Sequence, residues 1–276
     1  MRFTLVCLLL GACAGGMASQ KVASDSPGGY APQSAGGGYV ATNAQPSHAA
    51  IDRGGSIAEP VPDRPGLGTS WGESVSAPIS FAPFVRAGGT PWAEVLLHYN
   101  DAQGVDAHAS YLGSYPQPLE VFAGDGSVSV ALVDEAGRTL PGYAAGGRSL
   151  VIGEDGQRYR IVVRNATTAR FEIVASVDGL DVIDGHPADP NRRGYIVDPR
   201  GVLVIDGFRT SDDAVAAFRF GKVADSYAAQ TSGDRNVGVV GMAIFAERGA
   251  VWSPAELGRR DSADPFPDRG YAMPPR

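Results

Sequence analysis

Apolar and polar residues alternate through the middle of this chain. Tyr159, Ile161 and Val163 alternate with Arg158, Arg160 and Arg164, the cleanest period-two run in the sequence. Phe171, Ile173, Ala175 and Val177 alternate with Arg170, Glu172 and Ser176, and Val128, Val130 and Leu132 with Ser127, Ser129 and Ala131. Successive strand side chains point to opposite faces, so each run predicts a strand with one face in a core and the other in water. Further strands are expected at 94–99, 119–122, 149–153, 194–197, 202–205, 215–220 and 237–246. Between them stand Gly124-Asp125-Gly126, Glu135-Ala136-Gly137, Glu154-Asp155-Gly156, Asp178-Gly179, Asp184-Gly185 and Asp206-Gly207. Asp-Gly pairs suit turn positions with positive φ. Asn165-Ala166-Thr167-Thr168 reads as a hairpin connection, and 212–218, with Ser211 as its cap, as the best helix, although Val215, Phe218 and Phe220 fit either a helix or a strand. Short strands about ten residues apart, without a sustained helical period, predict an all-β fold, an antiparallel jelly-roll-like β-sandwich. Residues 71–248 supply that domain, long enough for one core.

The flanks have no period. From Ala14 to Thr69 the chain is mostly Gly, Ala, Ser and Pro, including Pro27-Gly28-Gly29-Tyr30 and Gly36-Gly37-Gly38-Tyr39. Such a composition buries too little apolar area to offset its ordering entropy. Residues 13–70 therefore read as a disordered tether, whose ~56 residues would reach roughly 40–45 Å on average. Residues 249–276 read as a tail, because Asp264-Pro265-Phe266-Pro267-Asp268 and Met273-Pro274-Pro275 continue neither helix nor strand. A short turn at 254–257, capped by Ser253 and opened by Pro254, is the exception.

Ahead of the tether lies a leader. Arg2 precedes the apolar run Phe3 to Leu10, which closes on Leu10-Gly11-Ala12-Cys13. A short apolar run ending in small residues marks residues 1–12 as a secretory signal peptide. A run of about eight residues is too short to cross a membrane that needs ~20. The closing tetrad resembles the lipobox of bacterial lipoproteins, which implies lipidation of Cys13. Ala12-Cys13-Ala14 and Gly16-Met17-Ala18 also fit ordinary secretory cleavage, under which Cys13 is incidental. The short apolar run, the small residues before the cysteine and the flexible segment after it favour lipidation. Ala14, rather than aspartate, resembles the outer-membrane sorting pattern.

Composition narrows the chemistry. The two cysteines, Cys7 and Cys13, both lie in the leader region, leaving no disulfide or catalytic thiol downstream. A net charge of −7 argues against a nucleic-acid partner. The four histidines, His48, His98, His108 and His186, are too scattered for a histidine-rich metal site. Neither cofactor nor metal is expected.

Several residue groups invite a chemical reading. Gly68-Thr69-Ser70-Trp71-Gly72 matches the Gly-x-Ser-x-Gly nucleophile elbow, but it stands at the end of a linker, without the strand and helix an elbow requires. Asp178, Asp181 and Asp184, followed by His186 and Asp189, are the densest set of cation ligands; calcium takes six to eight oxygens. The Asp-Gly turns account for two of them, and no D-x-D-x-D-G loop is present. Asp225, Ser226 and Tyr227 would form a polar pocket with Arg209 if their loops meet, whereas an ion pair or carbonyl contact is the plainer role for Arg209. Trp71, Trp92, Tyr99, Tyr111, Tyr115 and Tyr143 supply rings for stacking on sugars, or else for closing a core. His98 falls in an expected strand, where a core or edge histidine is the default. Asn165-Ala166-Thr167 is formally a glycosylation sequon, with no role in a bacterial envelope.

From about 149 to 247 the chain resembles an uncharacterised family of exported bacterial proteins. The resemblance rests on Gly156-Gln157-Arg158-Tyr159-Arg160-Ile161, Ser176-Val177-Asp178-Gly179-Leu180-Asp181-Val182 and Arg193-Gly194-Tyr195-Ile196-Val197. It continues through Ile205-Asp206-Gly207-Phe208-Arg209, Asp225-Ser226-Tyr227-Ala228 and Asn236-Val237-Gly238-Val239-Val240-Gly241. It implies a β-rich module, and no catalytic residue is carried over from it. The expectation is thus an exported, outer-membrane lipoprotein, bound to the membrane by its lipid. Its β-sandwich would be non-enzymatic and meet an envelope protein or glycan. A carbohydrate-binding module is the alternative, and a hydrolase of unfamiliar type the third.

Overall fold

The computed structural model describes residues 19–24, 64–109 and 115–250, together with 258, 262 and 263. The chain enters through β1 (Gln20–Ser24), then β2 (Leu67–Ser76), β3 (Ile79–Pro83), β4 (Ala93–Asn100) and helix α1 (Ala102–Ala109). It continues through β5 (Gln117–Pro118), β6 (Glu120–Ala123), β7 (Val128–Val133), β8 (Pro141–Ala145), β9 (Arg148–Ile152) and β10 (Arg158–Asn165). There follow β11 (Phe171–Val177), β12 (Leu180–Asp181), β13 (Tyr195–Val197), β14 (Val202–Ile205), β15 (Gly207–Arg209) and β16 (Ala214–Lys222). A 3-10 turn (Val223–Asp225), helix α2 (Tyr227–Thr231) and β17 (Val239–Ala246) complete the described fold.

These strands form an all-β sandwich. The ten-stranded sheet runs β3-β1-β13-β11-β17-β4-β9-β8-β5, with β12 on β11. The seven-stranded sheet runs β15-β16-β10-β7-β6, with β14 on β10 and β2 on β16. Pairing is antiparallel except for β1 with β3 and β4 with β9. One apolar cluster joins the sheets, formed by the period-two residues. Val128, Val130, Leu132, Tyr159, Ile161 and Val163 meet Phe171, Ile173, Ala175, Val177, Val240, Met242 and Ile244. The outer face of β7 is buried too: Ala131 and Val133 pack with Val162 in a smaller cluster, where alternation predicted water.

Four expectations are corrected. Residues 212–218 are not helical but enter β16, which pairs with β2 on one side and with β10 and β15 on the other. A strand buried on both faces loses its alternation, so its apolar run resembles a helix segment. Asn165 to Thr168 is not a hairpin, because it carries the chain from β10 in one sheet to β11 in the other. There Asn165 is buried: its Oδ1 accepts the Thr167 backbone N–H (2.9 Å) and hydroxyl (2.8 Å), and its Nδ2 donates to the Ala169 (2.7 Å) and Asp198 (2.8 Å) carbonyls. The sequon nitrogen is therefore fully engaged. Asp206-Gly207 is not a tight turn either. The chain runs on from β14 to β15, and a Cβ at Gly207 would lie 1.9 Å from the Ala216 carbonyl oxygen.

The fourth correction concerns the tether. Gln20–Ser24, inside the expected 13–70 segment, is an interior strand of the larger sheet, between β13 and β3. Val22 is fully buried, Lys21 pairs with Asp198 at 2.6 Å, and Arg209 donates to Gln20 Oε1 at 3.0 Å. The second strand also begins at Leu67, ahead of the expected boundary at residue 71. The signal peptide, Cys13, the rest of the 13–70 segment before Arg64 and the Ser253 turn lie outside the described residues.

Candidate functional site

Polar chemistry inside the sandwich collects around one carboxylate. Asp178 ends β11 at φ +54°, followed by Gly179 at φ +81°, a two-residue turn into β12 that Asp tolerates and Gly favours. Its side chain turns into the core. Oδ1 accepts the Tyr99 hydroxyl and the Gly238 N–H (2.9 Å), and Oδ2 accepts the Thr69 N–H (2.8 Å). Thr69 Oγ1 lies 2.7 Å from the Tyr99 hydroxyl and 2.6 Å from that of Tyr159. Since Tyr99 gives its proton to Asp178, Thr69 donates to Tyr99 and accepts from Tyr159, which fixes every proton in the chain.

Burial raises the Asp178 carboxyl above the ordinary range, against the hydrogen bonds from Tyr99, Thr69 and Gly238 that lower it. Burial, reinforced by the charge of Asp178, pushes the Tyr99 and Tyr159 phenols well above their usual value. The phenols therefore keep their protons and donate. Around them Tyr159 stacks on Phe218 and Phe220, with centroids 5.3 and 4.3 Å away. This is a closed, satisfied network.

The other expected site residues go to separate tasks. Asp181 is buried, and its Oδ1 accepts the Ile183 (2.7 Å) and Asp184 (3.3 Å) N–H groups; burial raises its carboxyl. Asp184 pairs with Arg192 and accepts the His186 N–H at 2.9 Å. Ser226 is fully buried and caps α2, accepting the Ala229 N–H (3.1 Å) and donating to the Val223 carbonyl (2.7 Å). Asp225 is exposed at the end of the 3-10 turn. Tyr227 packs on Trp71 (4.8 Å) and Phe208 (5.1 Å). Arg209 donates to the Tyr195 hydroxyl (2.9 Å) and to the Ala77 (3.0 Å) and Ser211 (2.9 Å) carbonyls, and so ties β13, β1 and the end of β2 together. Arg209 and Ser226 thus bond to different partners. Among the described residues, no three His, Cys, Asp or Glu side chains converge as a metal site.

The Gly-x-Ser-x-Gly match lies inside β2. Its glycines are packing residues: a Cβ at Gly68 would come within 2.6 Å of Ser226 Cβ, and one at Gly72 within 2.5 Å of the Ala217 carbonyl oxygen. Of the expected sugar-stacking rings, Tyr99 and Tyr143 are buried and Trp92 packs on Phe171 at 5.2 Å. Trp71 and Tyr115 are exposed, and Tyr111 lies outside the described residues.

Sequence reasoning did not single out Thr69, Tyr159, Asn100, Arg148 or Arg235. The two tyrosines at inward positions of β4 and β10 carried a usable signal, because a buried hydroxyl needs a partner. A second polar region lies across β4 from Tyr99. His98 and Asn100 there line a pocket of about 300 Å³, with α1 and Arg148 at its sides. Asp101 starts that helix by accepting the Gly104 N–H at 2.7 Å. No family model, curated protein or solved structure matches the chain.

Proposed function

We propose that the chain is an exported lipoprotein, acylated at Cys13 and sorted to the outer membrane. Its β-sandwich is a non-enzymatic module for contact with envelope components. The observation that carries this reading is the apolar leader closing on Leu10-Gly11-Ala12-Cys13, only six residues before β1. A fully extended chain covers at most about 3.6 Å per residue, so those residues hold the sheet within ~25 Å of the lipid. The anchor is therefore a short stalk rather than a long leash, and residues 25–66 connect β1 to β2. The engaged state of Asp178, Asp181 and Ser226 supports a binding role over a catalytic one.

Mass spectrometry of the protein from membrane fractions, beside a Cys13→Ser variant, tests the anchor. Acyl groups on Cys13, with release of the variant from the membrane, are expected. An unmodified wild-type chain in the soluble fraction would overturn the reading.

A further inference from the structure

Beside the end of β4 the structure gathers more basic groups than acids. The pocket of about 300 Å³ is lined by Arg64, Arg148, Arg235, His98 and His108, and by no carboxylate, in a chain whose net charge is −7. Among the described residues the side chains of Arg148 and Arg235 have neither an ion pair nor a hydrogen bond. Arg64 donates to the Asp234 and Val237 carbonyls, with the Asp234 carboxylate 3.9 Å away.

The floor offers donors. His98 Nδ1 is buried without a hydrogen-bond partner. Burial, then the charges of Arg148 and His108, hold its ring below the usual histidine range, and its Nδ1–H tautomer has a proton to give. Asn100 Oδ1 is consumed by the Leu67 (3.1 Å) and Asp101 (2.9 Å) N–H groups. That fixes the orientation of its amide and leaves Nδ2 as a donor without an acceptor among the described residues. Gly66 and Gly104 flank the amide, where a Cβ would stand 2.7 Å from Oδ1 and 2.1 Å from Nδ2. The site is thus tightly built on its inner side and cationic at its rim.

We propose that this pocket binds a phosphate group. Guanidinium forks pair with oxyanions two oxygens at a time, and a tetrahedral dianion presents oxygens to several forks where a carboxylate fills one. The volume admits the phosphate with part of the group that bears it. A soluble phosphate ester and a lipid headgroup share this chemistry. The proposal goes beyond the lipoprotein reading and does not depend on it.

The test uses the full chain with Cys13→Ser, so that anchoring plays no part. Thermal unfolding is followed with inorganic phosphate and with chloride at matched ionic strength, since ligand binding to the folded state raises the midpoint. A phosphate-specific rise is expected. Arg148→Gln and Arg235→Gln should each weaken apparent affinity about tenfold, as loss of one charge-assisted bond does. Arg164→Gln, at a residue paired with Glu120 elsewhere, should leave it unchanged. Equal responses to phosphate and chloride, or an undiminished response in the Arg148→Gln/Arg235→Gln double variant, would overturn the proposal. Co-sedimentation with phosphatidic acid vesicles, competed by glycerol phosphate, assigns the lipid headgroup as the source. Phosphate binding without vesicle retention assigns a soluble ester, and both results support the site.

Discussion

Tyr99 and His98 are neighbours on β4, and the two faces of that strand treat polar groups in opposite ways. On the inner face, Tyr99, Thr69, Tyr159 and Asp178 hand protons along a chain in which each donor has an acceptor. On the other face, His98 Nδ1 is buried without a partner, and among the described residues Arg148 and Arg235 near it have no ion pair. A buried polar group that is fully satisfied specifies a fold, whereas one left unsatisfied marks a place where something is missing. The carboxylates and hydroxyls that look most like catalysts belong to the first kind.

The contrast breaks most visibly at Asp178. Asp178→Ala strands the Tyr99 hydroxyl and the Thr69 and Gly238 N–H groups in the core, and should lower stability by about 3–5 kcal/mol in denaturant unfolding. A loss below ~1 kcal/mol would mean that water replaces the carboxylate and that the network is open. Thr69→Val comes next, with an expected loss of about 1–3 kcal/mol, because Tyr159 loses its hydroxyl partner and Tyr99 its donor.

The titration of Asp178 sharpens the comparison further. Its folded carboxyl is raised, so its contribution to stability is fully present below the unfolded value of about 3.9 and is lost as pH rises through the folded value. Wild type should therefore gain stability relative to Asp178→Asn as pH falls from neutrality toward that value. A difference that is flat with pH would show that the carboxyl is not perturbed. The smallest effect belongs to the other face: His98→Leu removes an orphaned nitrogen and should change stability by less than about 1 kcal/mol. The same substitution should diminish the response to phosphate, and an intact response would remove His98 from the pocket.

Much of the sandwich was legible because alternation survives wherever one face meets the core and the other does not. The strand at 202–205 is read to the residue, whereas β11 is buried on both faces, Glu172 included, where alternation predicted water. Alternation fails in β16, buried on both faces, and in β1, where Val22 is the only large apolar residue. β1 is a strand only because partners far along the chain accept it; Arg209, bonded to Gln20, is 189 positions away. The same non-locality hid the site. Nothing local to Arg148 or Arg235 says that they share a pocket with His98, whereas the turn role of Asp178-Gly179 is written in two adjacent residues. The core destination of the Asp178 side chain is not.

The placement of β1 also bears on how the protein is made. During synthesis, Gln20–Ser24 emerges ahead of every strand it joins, yet its antiparallel partner is Tyr195–Val197. It lacks that partner until most of the domain has been made. Its parallel pairing with β3 is itself the slower kind to form. The antiparallel pairing of β1 is thereby timed by the arrival of residues near 195, and a chain cut short before them leaves this early strand with an open edge.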